Sequence, residues 1–411
     1  MKGEKRNVNL NMNVKRKEDG WLAGSVCFMF TFAFTFVLVL IASRAGVRYT
    51  RCVPRARVDS SIQRLVVDGF DFPLGVYPIE PMKPKEGYTV HFESSDADQP
   101  PPGADDSEEF ELWPDRYVYD IVIRAGRVES LCRSLFAVLP GRIYPILDVL
   151  GNDAYREVDP YLAYELVGQE HFTEALRRYK GWFFEDGLVG FGAMSDEPFI
   201  YIFVDEHKIV TVRVEASLKP KIEAVLEAFD LPEIEKIAGA DAAIHEHRSV
   251  LEAPADRPDL LCAEEIIEEL RDTWGLQLNV DAQRNLDEKG IELGVTPWRV
   301  TVRLIEPPGS MVRYAEVFLT ADSLDKASEI AVIVAEDLYA SSVVAKRPES
   351  AAGENPSEKD EDDDTDEDPL EVDVLFADRM SEADFEQLVP EGKGKHPRLD
   401  QSRLVNIRWL E

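Results

Sequence analysis

The chain lacks the short patterns that announce common enzymatic chemistry. It has no Gly-X-Ser-X-Gly elbow, no Cys-X-X-Cys pair and no His-Glu-X-X-His helix, so the serine-hydrolase, dithiol and zincin signatures are all missing. Gly187, Gly190 and Gly192 do not have the spacing or the following helix of a phosphate-cradling loop, and Gly392-Lys393-Gly394-Lys395 lacks the upstream glycine and downstream hydroxyl of a nucleotide loop. No nucleotide or other cofactor is therefore expected.

Cysteine is scarce. There are four in 411 residues, Cys27, Cys52, Cys132 and Cys262, too scattered to frame a disulfide scaffold. Cys52 lacks the small apolar neighbours of a bacterial lipoprotein site. No glycosylation acceptor is present either, because Asn355-Pro356-Ser357 is blocked by its proline. Basic residues are also in short supply, 46 against 79 acids, for a formal net charge of −33. A surface this negative repels phosphate backbones, and nucleic acid is not an expected partner.

What the sequence does have is one long oily run. Residues 21–42 contain no charge and are dominated by Phe, Leu, Val and Ala. As a helix they would extend about 33 Å, enough for a hydrocarbon core ~30 Å thick. Lys15-Arg16-Lys17 precedes the run and Arg44, Arg48 and Arg51 follow it. The reading is an uncleaved signal anchor with lipid as partner and the C-terminal bulk on the exported side.

The expected fold class is α+β: one N-terminal transmembrane helix, then two small mixed α/β domains and an acidic, largely disordered C-terminal segment. Residues 1–20 form a basic tail, 21–42 the transmembrane helix, and 43–115 a juxtamembrane stalk and acidic Pro-rich linker. The first domain covers 116–232. It opens with a strand through Tyr117 to Ile123, followed by a helix marked by Val128, Leu131, Leu135 and Leu139. Asp159-Pro160 has the signature of another helix start, and Phe172, Leu176, Tyr179 and Phe183 make the apolar face of the next. Strands through Phe199 to Val204 and Ile209 to Val214 flank Asp205-Glu206-His207-Lys208 as a hairpin.

Residues 233–260 read as a connector, and the second domain covers 261–341. There Ile266, Ile267, Leu270 and Trp274 share a helical face closed by Gly275, and Trp298, Val300, Val302 and Leu304 alternate with polar residues as a strand. Asp322 and Asp325 open a helix through Ile330, Val334 and Leu338. Residues 342–411 are an acidic tail with short apolar segments. Its extreme C-terminus is expected to dock, adding a strand to a sheet or pairing with a partner protein, for which the second domain is the other expected surface.

One cluster carries candidate chemistry. In His245-Glu246-His247 the alternate spacing of a strand puts both imidazoles on one side, available to a metal ion. Catalytic zinc needs a third protein ligand, for which His171, His207 or a distant carboxylate are the candidates. Asp205-Glu206-His207-Lys208 itself reads as turn chemistry at a hairpin tip. Two functions follow: a membrane-anchored protein acting in recognition or assembly without catalysis, and a tethered metal-dependent hydrolase using the region of His245 and His247.

Overall fold

A computed structural model describes residues 56–95, 113–252, 257, 259–306, 311–345, 370–388 and 401–410. Contacts divide the chain into two units, residues 1–147 with 162–277 and residues 148–161 with 278–411.

In the first unit, residues with a stalk-like, proline-rich sequence are strands: β1 (Val66–Val67), β2 (Phe70–Asp71), β3 (Val76–Pro78) and β4 (Gly87–Glu93). β1 and β2 pair as a small hairpin, and β4 pairs with β5 (Arg116–Val122). Pro78 is tolerated because β3 belongs to a two-stranded ribbon, where a missing amide donor can face away from the ladder. Next along the chain come α1 (Ala125–Phe136), β6 (Arg142–Leu150), β7 (Val158–Ala163), β8 (Val167–Gly168), α2 (Gln169–Arg178) and α3 (Lys180–Glu185), of which the end of β6 and residues 158–161 of β7 belong to the second unit. The meander β9 (Val189–Asp196), β10 (Phe199–Val204) and β11 (Val210–Val214) follows, then α4 (Lys219–Ala228), β12 (His245–His247), α5 (Ala263–Trp274) and β13 (Leu276–Leu278).

The main sheet of this unit runs in the order β6-β9-β10-β11-β5-β4. Helix α1 buries Ala125, Val128, Leu131, Cys132, Leu135 and Phe136, the three-and-four spacing of a single face. Aromatic rings fill the space beneath the helices. Phe183 lies 4.8 Å from Phe191 and Phe172 lies 5.2 Å from Trp274 between ring centroids. Gly275 ends α5 at φ +63°, the left-handed conformation that makes glycine the usual residue after a helix.

The second unit has β14 (Thr296–Glu306), β15 (Met311–Ala321), α6 (Leu324–Ala345), β16 (Glu371–Arg379), α7 (Glu382–Leu388) and β17 (Arg403–Leu410). Its sheet is β16-β14-β15-β17, antiparallel throughout. Val300, Val302, Leu304, Val317 and Leu319 meet α6, whose deepest residues are Ala327, Ala331 and Ala335. Ile330, Val334 and Leu338, the expected face, lie at its margins. Small side chains every fourth residue let the helix axis settle closely on the sheet. Ser323, rather than Asp322, caps this helix, its Oγ accepting from Lys326 N–H at 3.2 Å.

Several expectations are corrected. Among the described residues no helix is long and apolar enough to cross a membrane, and strand exceeds helix. This overturns the plan of a single-pass, signal-anchored membrane protein with a transmembrane helix ahead of two mixed domains; residues 21–42, on which it rested, lie outside the described residues. Helix α6 has 22 residues, but it carries Asp325, Lys326, Glu329, Glu336 and Asp337, and its apolar side is taken up by the sheet. The largely disordered C-terminal segment is corrected as well. Residues 371–379 and 403–410 form the two edges of the second sheet, because apolar side chains at alternate positions reach the core while the backbone completes the ladders. Residues 346–369, most of the acidic run, lie outside the described residues, as do 96–112 of the acidic linker. Asp159-Pro160 lies in β7 rather than opening a helix; the Asp159 carboxylate accepts from Arg156 Nε at 2.6 Å instead of capping a backbone.

Candidate functional site

The site grows from three backbone devices in the first unit. The first is the β10–β11 hairpin, with Val204 opposite Val210. Its tip is closed by Asp205, whose N–H donates to Ile209 O at 3.0 Å and whose Oδ1 accepts from Ile209 N–H at 2.7 Å. Lys208 takes the left-handed conformation, φ +64°, and turns its side chain inward, where Nζ donates to Val189 O at 2.5 Å. His207 is thereby presented at the tip.

The second device is the ribbon of β3 and β12, in which His245 pairs with Pro78 and His247 with Val76. Glu246 between them is exposed while both histidines are half-buried, as strand alternation requires.

The third is a close backbone junction. Gly187 N–H donates to Arg248 O at 3.2 Å, and Arg248 N–H donates to Gly75 O at 2.9 Å. A Cβ on Gly75 would stand 2.1 Å from Gly187 N, and one on Gly187 would stand 2.1 Å from Gly75 O, so only glycine lets the strands approach. Asp186 locks this junction. Its buried carboxylate accepts from Leu188 N–H at 2.9 Å, Val250 N–H at 2.9 Å and Ser249 Oγ at 3.0 Å.

These devices bring three imidazoles together. Nε2 of His245 is 2.8 Å from Nε2 of His207 and 2.9 Å from Nε2 of His247, and the three rings stand edge to face at 4.6–4.7 Å between centroids. Each ring is held from behind. His245 Nδ1 donates to Ala243 O at 2.8 Å, and His247 Nδ1 donates to Gly187 O at 2.7 Å. His207 Nδ1 faces Asp205 Oδ2 at 3.3 Å and Glu206 Oε1 at 3.3 Å. A carbonyl oxygen only accepts, so the hydrogens of His245 and His247 sit on Nδ1, and their Nε2 lone pairs point into the cluster.

Two lone pairs facing at 2.9 Å repel unless a cation lies between them. A single proton bridges one pair of nitrogens, whereas a metal ion serves all three. A tetrahedral ion with bonds of ~2.0–2.1 Å holds its nitrogens roughly 3.4 Å apart, so the rings need to open by about half an ångström to accept it. The backing oxygens match the usual outer shell of metal-bound histidine, in which the second ring nitrogen donates to a carbonyl or carboxylate.

The electrostatics are consistent with one cation in the cluster. Burial lowers the proton affinity of His207, but the hydrogen bond and charge of Asp205, with Glu206 behind, outweigh it and push its pKa up to about 9. Burial, together with His207 and His245, pulls His247 down to about 4. Burial also brings Lys208 down to about 8 against the attraction of Asp186 and Asp205, and raises the carboxyl of Glu206, with Asp205 adding to the shift.

His207 thus stands with His245 and His247, their ligand atoms all within 4.8 Å of one another. His171 does not; it is exposed on α2. The Asp205-Glu206-His207-Lys208 tip both makes the turn and supplies the third imidazole. Sequence reasoning passed over the carbonyls of Ala243 and Gly187 and the carboxylate of Asp205, because backbone acceptors and a turn aspartate carry no ligand signature in one dimension. No family model matches the chain, and no curated protein or solved structure matches it.

Proposed function

We propose that this protein holds one divalent transition-metal ion of the zinc class on His207, His245 and His247, and that the centre is hydrolytic. The observation that carries this reading is the convergence of three Nε2 atoms whose rings are each fixed through Nδ1 by an oxygen. Three protein nitrogens leave the fourth tetrahedral position for water, the pattern of catalytic rather than structural zinc. Zinc on three imidazoles lowers the pKa of that water to about 7 and so supplies a nucleophile at neutral pH. The chain's own residues hold the ligands: Asp186 and the paired glycines fix His247, and the hairpin tip fixes His207.

The test is metal analysis of the purified full-length protein, followed by zinc-dependent turnover of p-nitrophenyl acetate and bis(p-nitrophenyl) phosphate. One bound equivalent with turnover that His247→Ala abolishes is the expected result. One equivalent with no metal-dependent turnover of either probe would leave a binding centre and favour recognition or assembly. No bound metal after zinc titration would remove the centre altogether.

A further inference from the structure

We infer that Asp205 is the positioning residue of this centre, setting the tautomer and aim of His207 and thereby the affinity of the site for a divalent ion. The inference rests on the three-histidine reading above and goes one residue deeper. His245 and His247 are backed by carbonyl oxygens at 2.8 and 2.7 Å. His207 alone of the three is backed by side-chain carboxylates, so its ligand strength depends on side chains that substitution can alter without touching the main chain.

Asp205 is built for this. Its two carboxylate oxygens divide the labour: Oδ1 accepts from Ile209 N–H at 2.7 Å and pins the group in the turn, leaving Oδ2 at 3.3 Å from His207 Nδ1. With Nδ1 donating to that oxygen, Nε2 carries the lone pair, as in the other two rings, and the carboxylate makes the imidazole a stronger donor to the metal. A positive ion on Nε2 draws the Nδ1 hydrogen further toward Oδ2. Glu206 Oε1 stands equally near at 3.3 Å and serves as the internal comparator.

The experiment is a competition titration of full-length wild type, Asp205→Asn and Glu206→Gln with Zn²⁺ against a chromophoric chelator. Co²⁺ absorption reports geometry, and ¹⁵N shifts of the zinc-loaded protein report which ring nitrogen of His207 keeps its hydrogen. In Asp205→Asn the amide oxygen still accepts from Ile209, so the turn is retained, while the amide nitrogen cannot accept from Nδ1. The expected result is a loss in zinc affinity on the order of 10–100-fold, with a smaller loss in Glu206→Gln. In the zinc-loaded wild type His207 should keep its hydrogen on Nδ1, a reading that does not require the variant to fold. Wild-type affinity in Asp205→Asn, a larger loss in Glu206→Gln, or an Nε2-protonated His207 in zinc-loaded wild type would each overturn the role of Asp205 while leaving the centre standing. Failure of wild type itself to bind zinc or cobalt would overturn the centre and this inference together.

Discussion

Nε2 of His207 lies 2.8 Å from Nε2 of His245, across 38 residues of chain. With the hydrogens of both rings on Nδ1, two Nε2 lone pairs face each other there, so a proton or a metal ion between them improves the fold. Ligands that bind only the native state stabilise it by mass action. Zinc at a hundred times its dissociation constant is expected to raise stability by about 2.7 kcal/mol. A thermal scan of the chelator-treated protein with and without added zinc checks this, and superimposable curves would refute it.

Single substitutions should separate ligands from bystanders. His207→Ala, His245→Ala and His247→Ala are each expected to abolish stoichiometric zinc binding, because two imidazoles do not define a site. His171→Ala, on the exposed side of α2, should bind as wild type does. Metal content per polypeptide after dialysis reads this directly.

Gly187→Ala is expected to harm folding and site together. The new Cβ would fall 2.1 Å from Gly75 O, and relief requires moving the segment whose carbonyl orients His247. A cost of about 3 kcal/mol, the upper range for overpacking, should accompany weakened zinc binding. Urea denaturation and zinc titration of the same variant provide the two readings; a loss of stability with unchanged zinc affinity would detach the junction from the site.

The second unit has its own anchor. Arg379 on β16 meets Asp153 with both side chains buried; its Nε donates to the carboxylate at 2.9–3.0 Å and Nη1 donates to Asn285 Oδ1 at 3.0 Å. Arg379→Ala removes the close charged partner of a buried carboxylate, leaving it Arg156 at 3.8 Å, and is expected to cost about 3–5 kcal/mol. Arg284→Ala, which breaks an ion pair with Glu292 that is more than half exposed, should cost under about 1 kcal/mol. Urea midpoints of the two variants give the contrast, and equal shifts would refute it.

Strand β17 closes the β15 edge of the same sheet, with Ile407 and Trp409 against its core. Trp409→Ala is expected to lower stability by about 2 kcal/mol, less than truncation of a fully buried tryptophan. Removing residues 403–410 should lower it further and expose the unpaired edge of β15, a template for association. Denaturation midpoints and light scattering of the truncated protein check both parts.

Much of the local structure was legible. Alternation in Trp298, Val300, Val302 and Leu304 marks β14, the flanking apolar runs mark the β10–β11 hairpin, and Gly275 marks the end of α5, since in each case a residue's neighbours along the chain report which side is apolar. Asp159-Pro160 misled because a cap signature states only what a helix start would use, and the carboxylate found Arg156. The face of α6 was misjudged because hydrophobicity favours Ile330, Val334 and Leu338, whereas close packing on a sheet selects the small Ala327, Ala331 and Ala335.

By itself the sequence determined the acidic charge, the missing linear motifs, the periodicities of most strands and helices, and the pairing of His245 and His247 on one side of a strand. Tertiary structure alone decided that His207 and not His171 completes the cluster, that Asp205 and two carbonyls stand behind the rings, that Arg379 reaches Asp153, and that the C-terminal residues close a sheet. The division has one physical cause. Periodicity is written between residues a few positions apart, while convergence of side chains depends on register and close packing between segments that the chain brings together only when it folds.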